Sequence, residues 1–112
     1  MDLVFQFQDT FYVIDWKSNF LGTNVEDYHQ EKLAIVMSEE YYHLQYLLYT
    51  VALNKYLSNH VSNYHYEKHF GGVFYLFLRG IDPQKGSAFG IYYTRPSEKL
   101  IHELSQNLIT FS

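Results

Sequence analysis

Residues 2–17, DLVFQFQDTFYVIDWK, decide the reading of this chain. Two runs rich in β-branched and aromatic residues, 2–7 and 11–17, flank Gln8-Asp9-Thr10, which predicts a β-hairpin with a short turn. If the turn centres between Gln8 and Asp9, antiparallel partners have position numbers summing to 17, and Asp2 lies opposite Asp15. Side chains at i and i+2 share a face of a strand, so Asp15 and Lys17 project to the same side. Three ionisable groups then converge on strands otherwise built from Leu, Val, Phe, Tyr and Ile.

Outward from the hairpin, residues 18–25 with Asn19, Gly22 and Asn24 read as a loop. A helix is predicted over 26–37 and a second over 41–58, followed by a polar, His- and Tyr-rich irregular stretch over 59–72. The runs 72–79 (GVFYLFLR) and 89–94 (FGIYYT) have strand length, with Asp82-Pro83-Gln84-Lys85-Gly86 as the turn or loop between them. Pro96 opens a last helix ending near Ile109, with Leu100, Ile101, Leu104 and Leu108 as its apolar stripe. The order ββααββα predicts one mixed α/β or α+β domain. Runs 2–7, 11–16 and 72–78 are apolar at both parities, the pattern of central strands covered by helices on both faces.

Composition narrows the function classes. A chain of 112 residues is one small domain at most. Without cysteine it forms no disulfide and offers no thiolate metal site or thiol nucleophile. That agrees with a cytoplasmic setting, as does the lack of any apolar run long enough to span a membrane. Eight basic against twelve acidic side chains leave a formal net charge of −4, which argues against strong electrostatic nucleic-acid binding by this chain alone. Lys55, Lys68, Arg79, Lys85, Arg95 and Lys99 are scattered and read as solvated rather than as a DNA track. Twelve Tyr, nine Phe and one Trp among so few charges imply aromatic surface that meets another part of a larger assembly.

The hairpin carries the chemistry. Two carboxylates about 5 Å apart are destabilising, by on the order of 3 kcal/mol at an effective dielectric near 20. Lys17 offsets part of this, and a hard divalent cation held by oxygen ligands would offset more. Such a cation polarises a phosphoryl oxygen and acidifies a bound water, which is how a phosphodiester is cleaved, with the lysine orienting that water or neutralising developing charge. An Asp-x-Lys at a strand end is also what an exposed ion pair looks like, and the residues alone leave both readings open.

The second predicted helix adds a separate signal. At 100° per residue, Leu48, Tyr49, Ala52 and Tyr56 fall within about 60° of Gln45, which puts an amide in an apolar stripe. Unpaired there, it costs about 1–3 kcal/mol, so it needs a partner, as does the Tyr49 hydroxyl. That partner is either the core or the carboxylate cluster and bound DNA, and spacing does not separate the two. Tyr41, Tyr42, Tyr46 and Tyr49 could stack on unpaired bases, although tyrosines at helical spacing more often belong to a core or an interface.

Asp2, then Ile14-Asp15-Trp16-Lys17-Ser18-Asn19, then Gln45-Tyr46-Leu47-Leu48-Tyr49 form an ordered set. It continues through residues 64–73 (YHYEKHFGGV), 75–80 (YLFLRG) and 93–96 (YTRP). The combination resembles the PD-(D/E)xK nuclease superfamily and, within it, RecB-type nuclease domains, those of exodeoxyribonuclease V beta subunits. The resemblance covers nearly the whole chain, so residues 1–112 are expected to form one such domain. It implies a restriction-endonuclease-like α/β core, a mixed central sheet flanked by helices, and Mg²⁺ as cofactor, with Mn²⁺ a possible substitute. By the same likeness Asp2 and Asp15 are the metal-binding aspartates, the backbone carbonyl of Trp16 is a further ligand, and Lys17 is the motif lysine. Gln45 and Tyr49 match the Q-x-x-x-Y helix motif and would support the site or contact DNA. The implied activity is exodeoxyribonucleolytic hydrolysis of DNA in double-strand-break repair by recombination. The implied partners are the gamma and alpha subunits and the helicase part of the beta subunit.

One departure accompanies the likeness. The family places a helix and a metal-ligating histidine before the first aspartate strand, whereas this chain begins one residue ahead of Asp2, and none of its six histidines takes that place. The chain is therefore expected to be a C-terminal piece of a large subunit or a truncated gene product lacking that helix. The rival expectation is a non-catalytic interaction module that keeps the nuclease fold and docks partner subunits or a recombinase. His65 and His69 lack the Glu of a His-Glu-x-x-His zinc site, and His29, His43, His60 and His102 read as surface or partly buried residues.

Overall fold

The hairpin forms as its sequence dictates. In a computed structural model that describes the backbone of residues 1–111 and the side chains through Asn107, β1 (Leu3–Phe7) pairs antiparallel with β2 (Thr10–Lys17). Leu3 faces Ile14 and Phe7 faces Thr10, the register expected from a turn centred between Gln8 and Asp9. The loop is two residues long, Thr10 having joined the strand, and Gln8 takes the positive φ of 56° that such a tight connection requires.

The first predicted helix divides. A 3-10 turn over Val25–Tyr28 precedes α1 (Gln30–Glu39), because His29 is extended and its Nδ1 accepts the Lys32 N–H at the helix start. Tyr28 is fully buried, its hydroxyl donating to the Gly22 carbonyl and accepting from the Leu21 N–H. The second helix, α2 (Tyr42–His60), is longer than predicted. The stretch expected to be irregular contains a single helical turn, α3 (Tyr66–His69), that leads straight into β3 (Phe70–Phe77). After a 3-10 turn at Leu78–Gly80 come β4 (Ile91–Thr94) and α4 (Glu98–Phe111). Pro96 lies ahead of α4 rather than in it, and Ser97 Oγ accepts the Leu100 N–H at 3.2 Å.

The sheet has the order β1-β2-β3-β4, with β2 and β3 parallel and the outer pairs antiparallel. The fold is thus a mixed α/β arrangement. Val13, Val73, Tyr75 and Phe77 point from one face into a core shared with Leu33, Met37, Leu53, Leu57 and Ile101 of the helices. In α4, Ile101 is buried and Leu104 packs on that core, but Leu100 is exposed, and the Leu108 side chain lies outside the described residues.

Two expectations are corrected here. β1 is an edge strand, exposed at four of its five positions, not a central one. Nor are the strands covered on both faces: on the second face Leu3, Trp16 and Tyr93 are exposed and Phe5, Tyr12, Ile14, Phe74 and Leu76 only half-buried. Apolar residues at both parities show that both faces suit burial, but the helices of the described chain lie on one.

Candidate active site

Asp15 sits on the helix-covered face, opposite Tyr75 of β3 and only 3% exposed. A carboxylate so placed is costly unless charge and hydrogen bonds answer it. Lys17, two residues on and on the same face, brings its ammonium to 3.1 Å from Asp15 Oδ1. The Met1 α-ammonium stands 3.8 Å from Asp15 Oδ2. Lys17 is held from further sides, donating to Gln45 Oε1 at 3.1 Å and lying 4.2 Å from the centre of the Tyr42 ring.

Gln45 reaches this cluster from α2. Its Oε1 also accepts the Tyr75 hydroxyl at 2.9 Å, so one amide oxygen ties the lysine to a central strand. The stripe that pointed to Gln45 is nevertheless not the buried one. Leu48, Ala52 and Tyr56 are exposed, and α2 buries Thr50, Leu53 and Leu57, with Tyr46 packed against the core. Gln45 and Tyr49 lie on the flank of that face, where the lysine and the carboxylate meet them. Burial, and after it the negative charges of Asp15 and Asp2, push the Tyr49 hydroxyl up to about 12.

Asp2 lies just ahead of β1. Its N–H donates to the Ile14 carbonyl at 3.1 Å, and its Oδ2 accepts the Trp16 N–H at 2.9 Å. The Asp2 carboxylate is thus held against the backbone between Asp15 and Lys17. Asp2, just ahead of β1, and Asp15, Lys17, Gln45 and Tyr49, from β2 and α2, come together at one edge of the sheet. Among the described residues no three His, Asp or Glu side chains form a metal cluster, so a cation here would rest on the two carboxylates and a backbone carbonyl such as that of Trp16. An all-oxygen donor set of that kind suits a hard divalent cation.

Sequence reasoning missed Tyr75 and gave Tyr42 another role, as a possible base-stacking or interface tyrosine rather than a neighbour of Lys17. Tyr42 stacks on Tyr75 with ring centres 5.7 Å apart and exchanges a hydrogen bond with Asn19 through its hydroxyl. The only local signal was that Asn19 follows Lys17 by two residues. Tyr41, by contrast, is 76% exposed, and Tyr46 packs inward. His65 and His69 are spent on the α3 turn: His69 Nδ1 contacts both the N–H and the carbonyl of His65, and its ring stacks on Tyr64. His43 is half-buried, and His29, His60 and His102 are exposed. Lys85 pairs with Glu26 and Arg95 with Glu67, away from the site.

No protein-family model matches the chain. Individual proteins do. The chain is 50% identical over 104 residues to the RecBCD enzyme subunit RecB of Haemophilus influenzae, and 48% identical over 101 residues to that of Escherichia coli. This chain is a RecB homologue. The two alignments cover 93% and 90% of the chain but only 8% of each relative. The chain is also 36% identical over 115 residues to RecB of Borreliella burgdorferi, an alignment covering 93% of the chain and 10% of that relative. Every RecB-like segment named above, from Asp2 to Pro96, lies within the described residues, none of whose helices is long and apolar enough to cross a membrane.

Proposed function

We propose that this RecB-like chain is a Mg²⁺-dependent DNA nuclease domain of the PD-(D/E)xK type, hydrolysing phosphodiester bonds as an exodeoxyribonuclease in recombinational repair of double-strand breaks. The observation that carries this reading is the buried Asp15 carboxylate, 3.1 Å from the partly buried Lys17 ammonium, with Gln45 bridging the lysine to Tyr75 and Asp2 alongside. Structure alone would be as well served by an apolar pair at this position, since buried ion pairs rarely stabilise a fold on balance.

Asp2, Asp15 and the Trp16 carbonyl would hold Mg²⁺, which when bound supplies Lewis-acid activation of the phosphoryl oxygen and of a water. Lys17 directs its ammonium at the nucleophile and the charge that develops on phosphate. Water adds to phosphorus in line with the leaving oxygen, the P–O bond breaks, and the leaving oxygen takes up a proton. Gln45 keeps the lysine in place, and Tyr49, whose proton is held up to about 12, stays a neutral hydroxyl facing the acids. In the larger enzyme the partners would be the gamma and alpha subunits and the helicase part of the beta subunit, in the cytoplasm.

The test is degradation of linear DNA with Mg²⁺ by the intact parent subunit. Asp15→Ala or Lys17→Ala should slow cleavage by about 10²- to 10³-fold, the scale for removing one preorganised charge from such a site. An unchanged rate in either variant would refute the assignment.

The uncovered apolar sheet face favours a second reading, an interaction module that keeps the nuclease fold without catalysis. Titration with Mg²⁺ or Mn²⁺ separates the two. Binding that disappears in Asp2→Asn supports the nuclease, and the lack of any binding supports the module.

A further inference from the structure

Where β2 and β3 end side by side, an arginine pairs with no acid among the described residues. Lys17 is the parallel partner of Phe77, and two residues beyond Phe77 the Arg79 Nε donates to the Ser18 carbonyl at 2.7 Å. The other arginine, Arg95, gives its guanidinium to Glu67 and to the carbonyls of Tyr66, Glu67 and Phe70. Arg79 has no carboxylate partner, and its two terminal nitrogens donate to no group among the described residues. The backbone bond fixes the cation in place and leaves its outer donors open.

Beside it stands Phe20, 63% exposed, with the Arg79 guanidinium 5.9 Å from its ring centre. Phe20 is not loosely attached to the site. Asn19, its neighbour, bonds the hydroxyl of Tyr42, whose ring lies under the Lys17 ammonium. A bare aromatic ring and a pre-positioned guanidinium with two free donors are the two elements that grip a nucleotide: stacking takes the base, and the paired N–H groups take the phosphate.

We propose that Phe20 and Arg79 form a nucleotide clamp that seats single-stranded DNA beside Lys17, Phe20 stacking on an unpaired base and Arg79 holding a phosphate next to the one cleaved. The inference rests on the nuclease reading and deepens it, naming two residues outside the carboxylate cluster that would seat the substrate strand. A paired duplex offers no base face to Phe20, so selection follows from stacking.

The experiment measures anisotropy of a fluorescein-labelled oligothymidylate titrated with the full chain, with Ca²⁺ in place of Mg²⁺ to hold off hydrolysis. Phe20→Ala should weaken binding about 5- to 150-fold, the range for one lost base stack, and Phe20→Trp should restore it. On an abasic strand of equal length, wild type and Phe20→Ala should bind alike. Arg79→Gln should flatten the dependence of log K on log salt by roughly 0.7, one phosphate contact on a single strand, whereas Arg79→Lys keeps the slope. Far-UV circular dichroism checks that each variant is folded. Equal affinity of wild type and Phe20→Ala, equal affinity for duplex, or no binding by wild type overturns the clamp. If Phe20→Ala weakens binding while the intact parent subunit degrades DNA in Mg²⁺ no more slowly as Asp15→Ala than as wild type, the clamp stands and the nuclease reading falls. Hydrolysis that Phe20→Ala leaves unchanged in both Kd and KM has the opposite meaning.

Discussion

The two faces of the sheet invert the usual rule for charge. The face that the helices cover carries Asp15 and Lys17, with the lysine only partly shielded. The face left open, from Leu3 to Tyr93, carries hydrocarbon and aromatic rings and no charge. Across it Phe5, Tyr12, Phe74 and Tyr93, one from each strand, form a ladder with successive ring centres 5.0, 6.0 and 4.8 Å apart. Water alone would favour the opposite arrangement. The charges are enclosed because several elements hold them in one geometry, and the rings are bare because nothing in the described chain lies over them. Burial therefore marks where the proposed chemistry would lie, and bareness marks where contact with another surface would be most favourable.

The contrast can be broken by mutation, starting with the largest effect. Leu57→Ala, at a position 1% exposed, should lower the unfolding free energy by about 2–5 kcal/mol in urea denaturation. Phe74→Ala, in the middle of the ladder, removes a larger side chain but one that is partly exposed and has no helix over it, and should cost less, about 1–3 kcal/mol. Equal losses would mean that the second face is packed after all. Gln45→Leu leaves the Lys17 ammonium and the Tyr75 hydroxyl without their shared acceptor and should cost about 1–3 kcal/mol, with a parallel loss of DNA cleavage. Smallest of all, Leu48→Gln on the exposed flank of α2 should change stability by no more than about 0.5 kcal/mol.

Alkali sharpens the same contrast. Burial raises Tyr49 and Tyr64 to about 12 and pushes Tyr66 and Tyr75 up as well, against 10 in the unfolded chain. The folded state binds these protons more tightly, so their contribution is complete below pH 10 and is lost as the pH rises toward 12. The thermal midpoint should fall across that interval, together with delayed tyrosinate absorbance. A midpoint flat from pH 9 to 12 would contradict the enclosure of these hydroxyls.

The local part of this architecture was legible in the sequence. Side-chain alternation and a short turn suffice to put Asp15 and Lys17 together and to set Leu3 against Ile14. Gln45 was legible as a polar residue out of place, although for a partly mistaken reason. α2 has Leu or Tyr on every side, so no single stripe could be chosen, and the one through Leu48 and Tyr56 is exposed. Tyr75 and the role of Tyr42 beside Lys17 were hidden because both depend on the parallel pairing of Asp15 with Tyr75 across sixty residues of chain. The edge position of β1 was misread because strand composition shows that a face can be covered, not what covers it.

The bifurcated acceptor on Gln45 has a mechanical consequence. The Lys17 ammonium and the Tyr75 hydroxyl share one oxygen carried by α2. A helix that slid by one residue, about 1.5 Å, would break both contacts at once. The lysine is therefore registered to the seating of α2 as much as to its own strand, although the neighbouring Leu44 and Leu48 of that helix are exposed.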